Sequence, residues 1–465
     1  MAPYEIVKAH YTLPFELYPK QQDTTNELAP LPKAAYYLDM GTGKTCTSTA
    51  SALFKRIMHG NVTIVVMPPI LINTWRRWLA RISPALKITV YRGTPKERKA
   101  IRLDGEFILV SMVVFKNDFE RIHKALHGRP LTIIVDEATS VKNVGTDNHK
   151  RIFELQQGHD LMLLTGSPLS TPADAYAYCK LVAPGVYRNQ NQFNNIHVEE
   201  RDFFEKVTEW RNLDMLAENM KINSVRILKE EMLVDLPPIT YSPIFYDLDP
   251  KHYSLYVRLA EEQVLKLESG GKIDATQATA LYHALQQIVV NWDHFSGDPT
   301  KRSMGYDVID QIMDELGPTK KLVVFATYRM TNGKLVRYLS DYGAVAVYGD
   351  VPEKQKSANI DRFIDDPKCR IMIAQPTSAG YGVDGLQHVC NDALFLECPV
   401  IPMHFHQACA RVHRDGQRMN TNIHIAVAEG TLQVRLHRQL LENDRLVNRV
   451  QGGFQDLRDA IYGHD

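Results

Sequence analysis

Ten short apolar runs, set between stretches of helical periodicity, constrain this chain more than any other feature of its sequence. The first five are AAYYL, VTIVVM, FILVS, LTIIVDE and LMLLTG; after a gap come KLVVFAT, AVAVYG, RIMIAQ, DALFLEC and IHIAVA. Each is too short for a buried helix. Alternating with helices, they read as strands covered on both faces, which is how parallel sheets are built. The expected fold class is therefore α/β, with two parallel sheets of about five strands each.

Between the two series, roughly residues 172–318, the strand signal nearly vanishes and segments such as DFFEKVTEWRNLDMLAENM and DPKHYSLYVRLAEEQVLKLE take its place. These have helical periodicity, and LPPITYSP punctuates them. The organisation expected is a first lobe over 1–236, with a helical insertion from about 172; a linker and helical insertion over 237–318; a second lobe over 319–440; and a C-terminal helix over 441–465. A length of 465 residues fits two or three domains.

Lys plus Arg and Asp plus Glu both total 54, so no global positive field advertises nucleic acid, and a polyanion would need a local basic cleft. The opening MAPYEIVKAHYTL is charged where a secretory signal needs an apolar core, and no apolar run approaches a membrane span. A cytoplasmic protein is expected. The six cysteines are scattered without a C-x-x-C pair. Cys398, His404, His406, Cys409 and His413 could be gathered as metal ligands, but they lie on or beside an arginine segment described below, where packing roles outweigh ligation.

AAYYLDMGTGKTCTST has the order strand, glycine-rich turn, helix. Gly41 and Gly43 let the backbone curl so that its N–H groups face an anion; Lys44 would neutralise β/γ-phosphate charge and Thr45 would offer a hydroxyl to Mg²⁺. Leu38 stands where the full G-x-x-x-x-G-K-[ST] pattern has its first glycine. IIVDEATS then ends a strand in adjacent carboxylates. Asp136 can hold Mg²⁺ through water, and Glu137 can orient or deprotonate an attacking water. Together the two segments point to nucleotide hydrolysis. Far downstream, QACARVHRDGQ sets Arg411 and Arg414 three residues apart, a spacing that predicts both on one helix face with an anion as their target.

With these motifs in family order from about residue 17 to 440, the chain resembles the Swi/Snf-type translocases of helicase superfamily 2, in particular their short bacterial and phage members. The resemblance implies two RecA-like lobes in tandem. In LYPKQ, Gln21 matches an adenine-recognising glutamine, and LDMGTGKT (Met40, Gly41, Thr42, Gly43, Lys44, Thr45) is the phosphate loop. VVMPPILINTWRRW, with Pro68, is similar to a segment that tracks nucleic-acid phosphates; VSMVVF puts Ser111 at a DNA-contacting hydroxyl position. Thr165, Gly166 and Ser167 of LTGSP resemble the element that links hydrolysis to lobe motion. SVRILKEEMLVDLPP resembles a junction that generic RNA helicases lack, with Arg226 at one of its arginines. In the second lobe, Thr327 and Thr377 match backbone-contact positions, Gly382 a cofactor position, Gln407 a coupling position and Gln417 a nucleotide-side position; Ala410 replaces a glycine.

The resemblance implies a DNA-dependent ATPase that uses ATP and Mg²⁺, brings Arg414 and Arg411 to the γ-phosphate, and translocates along duplex DNA, sequence-nonspecifically, without full strand separation. It further implies a monomer with no membrane association, a possible protein partner for targeting, and a bacterial or phage-infected cytoplasm in preference to a nucleus. Two alternatives stay open: a strand-separating helicase on forks, R-loops or RNA, and an ATP-gated scaffold with vestigial hydrolysis.

Overall fold

In the computed structural model the described residues are 1–437, apart from 70, 170, 202–206, 234, 270–274, 380–384, 400–401 and 435. The expected C-terminal helix over 441–465 and Gly382 lie outside them. Fifteen strands are present among the described residues: β1 (Lys33–Leu38), β2 (Val62–Met67), β3 (Ile88–Tyr91), β4 (Phe107–Ser111), β5 (Leu131–Asp136), β6 (Asp160–Leu164), β7 (Val198–Arg201), β8 (Val207–Trp210), β9 (Ser224–Ile227), β10 (Ile239–Tyr246), β11 (Leu322–Phe325), β12 (Val345–Val347), β13 (Ile371–Ala374), β14 (Asp392–Phe395) and β15 (Thr421–Ala428). The chain divides into two compact units after residue 234.

The first unit carries a seven-stranded sheet in the order β3-β4-β2-β5-β6-β1-β9, every pairing parallel. Its strands are apolar without interruption because each face has its own core. Val62, Ile64 and Val66 feed one, while Val65 and Met67 feed the other. Burying an aliphatic side chain of this size contributes about 1.5–3 kcal/mol. Cutting Ile64 back to Ala would therefore cost about 2–5 kcal/mol once the cavity is included.

The second unit repeats the plan with six parallel strands in the order β10-β15-β14-β11-β13-β12. Val323 and Phe325 face one core, Leu322 and Val324 the other. The α/β architecture is thus as expected, with corrections to the strand count and to the stretch over 172–318: the sheets hold seven and six strands where about five each are expected, and β7, β8 and β9 form where helix is expected, β8 within DFFEKVTEWRNLDMLAENM. The linker differs too. The segment ITYSPIFY, read as part of a linker, is β10, paired with β15 over eight residues from Ile239↔Thr421 to Tyr246↔Ala428. It is an edge strand, so Pro243 can sit in it with no N–H to offer the open side. Helices Pro250–Ser269, Ala275–Val290 and Gly305–Leu316 follow it, in keeping with the helical periodicity. None of the helices in the described residues is long and apolar enough to cross a membrane.

Candidate active site

The loop after β1 is shaped by two glycines in the left-handed region, Gly41 at φ 83° and Gly43 at φ 78°. Side chains rarely adopt that conformation, and at Gly43 a Cβ would also lie 2.3 Å from Gln21 Nε2. The turn is tied by Thr42, whose N–H and hydroxyl both donate to the Asp39 carbonyl at 3.2 and 2.6 Å. Helix Lys44–His59 starts directly after it. Its first-turn amides have no partners within the helix, and their dipoles sum to partial positive charge at this end, so the curled loop is an anion cradle. Lys44 donates through Nζ to the carbonyls of Leu38 (3.0 Å) and Asp39 (3.3 Å), inside its own loop. Met40 and Thr45 are half-buried on either side.

Gln21 is buried against this loop: its Nε2 donates to the Thr42 carbonyl at 2.9 Å, and its Oε1 accepts from Tyr18 N at 2.9 Å. The side chain matched to adenine recognition is thus engaged in holding the phosphate loop onto helix Pro19–Leu28.

β5, fourth of the seven strands, ends in Asp136. The carboxylate is buried and accepts two hydrogen bonds, from the Trp75 indole to Oδ2 at 2.8 Å and from Glu137 N to Oδ1 at 3.0 Å. Burial raises its affinity for a proton above that of an ordinary carboxyl, and the Trp75 hydrogen bond and the charge of Lys44 oppose that rise. Glu137 follows at φ 54°, ψ 61°, a left-handed conformation in a residue with a side chain. Such a backbone costs about 1–3 kcal/mol and is typical of functional sites. Trp75 was not among the residues singled out from sequence. The available signal was an indole on the apolar face of helix Leu71–Ile82, because a buried Trp N–H normally requires an acceptor.

The LTGSP element rests on the same loop. A Cβ at Gly166 would meet Leu38 O and Met40 N, each at 3.3 Å. Ser167 N donates to the buried Thr165 hydroxyl at 3.2 Å. Arg226 of β9 joins the two segments, donating to Gly166 O at 2.6 Å and to Asp39 Oδ1 at 3.0 Å, while Lys229 N donates to Asp39 Oδ2 at 3.2 Å. Of the residues matched to nucleic-acid contact, Pro68 directly follows β2 and is half-buried, its carbonyl accepting from Leu71 N at 3.0 Å. Ser111 is 5% exposed and caps helix Met112–Asn117, accepting from Val114 N at 3.4 Å.

In the second unit, helix Pro402–Val412 carries Gln407 and Arg411. It stops before Arg414, which lies in the turn that follows, so the two arginines do not share a helix face as their spacing suggested. Gly416, at φ 90° and packed on His388, shapes that turn, and His413 donates to the Pro237 carbonyl at 2.8 Å. Gln407 is 1% exposed, and its amide nitrogen and oxygen have no hydrogen-bond partner among the described residues. Gln417 is also buried, but its amide is used by the fold: Nε2 donates to Cys390 O and Val412 O, and Oε1 accepts from Arg418 N and Met419 N. Thr377 is exposed. Thr327 donates through N to Glu397 Oε2 at 2.8 Å and through its hydroxyl to Glu397 O at 3.2 Å. Glu397 takes further bonds from Tyr328 N and the Thr331 hydroxyl, and burial pushes its carboxyl up to about 7.

A glycine cradle at a helix start, with a strand-end acid pair beside it, is the working end of a phosphate-loop ATPase, and the second parallel sheet makes this one of the two-lobed, helicase-like kind. More narrowly, the chain belongs to the SNF2-related family: the SNF2-related domain matches residues 38–293, and the helicase conserved C-terminal domain matches residues 305–416. An ATP-dependent helicase of Mycoplasma pneumoniae is 21% identical, over 89% of this chain and 39% of its own length. The DNA annealing helicase and endonuclease of Mus musculus is 25% identical, over 91% of this chain and 39% of its own length. This chain therefore spans about two-fifths of the length of these relatives. Among solved structures, the Sulfolobus solfataricus SWI2/SNF2 ATPase core in complex with dsDNA is similar at 20% identity and a TM-score of 0.43, covering 95% of this chain and 94% of that one.

Proposed function

We propose that this chain is a DNA-dependent ATPase that couples hydrolysis of ATP to translocation along duplex DNA without full strand separation. One observation carries the reading: Arg226, from the junction that distinguishes Swi/Snf-type motors, is bonded to both Asp39 of the phosphate loop and Gly166 of the LTGSP element. A segment that resembles a junction absent from generic RNA helicases is thereby connected to the groups that would sense nucleotide. The mouse relative, named for action on DNA, supports the same substrate class.

Within this reading the loop amides and Lys44 hold the β- and γ-phosphates of ATP, and Glu137 orients the attacking water. Asp136 and the Thr45 hydroxyl are hard oxygen donors suited to Mg²⁺, which when bound supplies charge neutralisation at those phosphates. Arg411 and Arg414 supply positive charge to the transferred phosphoryl group, a contribution worth about 10³–10⁵ in rate for the arginine fingers of GTPases. DNA is held chiefly through phosphate, so binding is sequence-tolerant and weakens steeply with salt.

The test is ATP turnover with no nucleic acid, single-stranded DNA, duplex DNA and RNA. Duplex should stimulate most. Preference for single strands or RNA overturns the duplex assignment, and no stimulation by any of them overturns nucleic-acid dependence. Glu137→Gln should bind ATP and DNA while turnover falls by about 10²–10⁴; persistent turnover removes Glu137 from its role. Displacement of a triplex strand without unwinding of a fork separates translocation from helicase action.

A further inference from the structure

Helix Leu71–Ile82 has two chemically distinct faces. Ile72, Trp75, Leu79 and Ile82 are buried in the core beneath the sheet, while Arg76, Arg77 and Arg81 are exposed. The helix follows β2 by way of Pro68, in the segment matched to nucleic-acid phosphate contact. From its buried face the Trp75 indole reaches Asp136, and it is the one side chain hydrogen-bonded to that carboxylate among the described residues. An indole N–H only donates and does not titrate at any ordinary pH, so it fixes Oδ2 and leaves Oδ1 for other partners. Both groups are buried, Trp75 at 1% and Asp136 at 5% exposure, so water does not compete for the bond.

We propose that Trp75 is a positioning residue for Asp136, through which the arginine-bearing helix Leu71–Ile82 passes a contact with nucleic-acid phosphate to the Mg²⁺-holding carboxylate. The positioning of Asp136 stands on the hydrogen bond; the relay rests on the DNA-dependent reading given above. A packed interior transmits a shift of the helix to the indole instead of absorbing it. Partners that orient a metal-holding carboxylate typically change metal affinity or activity by about 10–100-fold when removed. Trp78, on the same helix, provides an internal comparison: its indole N–H is buried and has no hydrogen-bond partner among the described residues.

The test compares Trp75→Phe with Trp78→Phe in three measurements: thermal melting, Mn²⁺ affinity in the presence of a non-hydrolysable ATP analogue by electron paramagnetic resonance, and the ratio of duplex-stimulated to basal ATP turnover. In Trp75→Phe, Mn²⁺ affinity should fall about 10–100-fold and the stimulation ratio about tenfold, with duplex binding retained. Trp78→Phe should leave Mn²⁺ affinity unchanged. A folded Trp75→Phe protein with wild-type Mn²⁺ affinity overturns the positioning role. If Mn²⁺ affinity falls but the stimulation ratio holds, the relay is overturned. Should Trp75→Phe fail to fold, benzothienylalanine at position 75 keeps the bicyclic ring without the N–H and gives the same readings. A wild-type protein that no nucleic acid stimulates removes both the relay and the DNA-dependent reading, while the Mn²⁺ measurement still decides whether Trp75 positions Asp136.

Discussion

In the first lobe β5, at the middle of the sheet, ends in Asp136; in the second, Glu397 lies two residues beyond β14, third of six strands. Burial raises the proton affinity of both carboxyls. Their surroundings differ. Among the described residues Asp136 has one side-chain donor, Trp75, and it feels the charge of Lys44 from the phosphate loop. Glu397 takes Thr327 N, Tyr328 N and the Thr331 hydroxyl, all from the turn that opens helix Arg329–Tyr338. Under the proposed function Asp136 serves chemistry and Glu397 local architecture, and their partners differ in origin: a distant helix and a charged loop for the first, a single adjoining turn for the second.

The largest effect should come from Asp136→Asn, which keeps the shape and removes the charge. Turnover is expected to fall by about 10³ or more, with melting close to wild type, since charge at the transferring phosphate is the main lever of this chemistry. Steady-state ATP hydrolysis and thermal melting measure both. Glu397→Gln should do the reverse, leaving turnover within a few-fold. If it abolishes turnover as Asp136→Asn does, the contrast between the two carboxylates is wrong.

Next in size is the pH dependence of Glu397. Its folded-state value of about 7 lies above the ordinary 4.5, so it favours folding when protonated. That contribution is complete below about pH 4.5 and is lost as pH rises through 7, by about 3 kcal/mol across the interval at 1.36 kcal/mol per tenfold change in proton affinity. Urea unfolding at a series of pH values should show this slope for wild type and its loss in Glu397→Gln.

The smallest effect concerns Ser111. As a buried helix cap it should cost about 1 kcal/mol when changed to Ala, with duplex affinity unchanged in a salt titration. A tenfold loss of affinity would instead assign it to DNA contact and bring it closer in role to Asp136 than to Glu397.

Legibility in the sequence followed burial. The strands enclosed on both sides, β1, β2, β4, β5 and β6 in one sheet and β11, β13, β14 and β15 in the other, appear as apolar runs. Of the edge strands, β12 is buried throughout and appears as AVAVYG, whereas in β3, β9 and β10 part of each strand meets solvent and the run is broken by Thr, Arg or Pro. The phosphate loop and the acid pair were readable because their glycines and carboxylates follow strands within a few residues. The bonds from Trp75 to Asp136 and from Arg226 to Asp39 join residues 61 and 187 positions apart. No local pattern encodes such pairs; they arise from parallel strands bringing their ends to one rim. The arginine spacing misled for a local reason, since Gly416 supports a turn where a continued helix would have put Arg414 beside Arg411.

The lysine of the phosphate loop donates to two carbonyls of that same loop. Those oxygens act as built-in competitors for its ammonium: an arriving anion must displace them, and a departing product leaves no bare charge behind. Affinity is then a difference between two sets of bonds. The cost of displacing them is the same for every anion, so it weakens a lone phosphate ion and a nucleotide alike, and a ligand with few other contacts is the first to fall below useful affinity. The loop thereby sets a threshold on anion binding through its own backbone, without a dedicated side chain for the purpose.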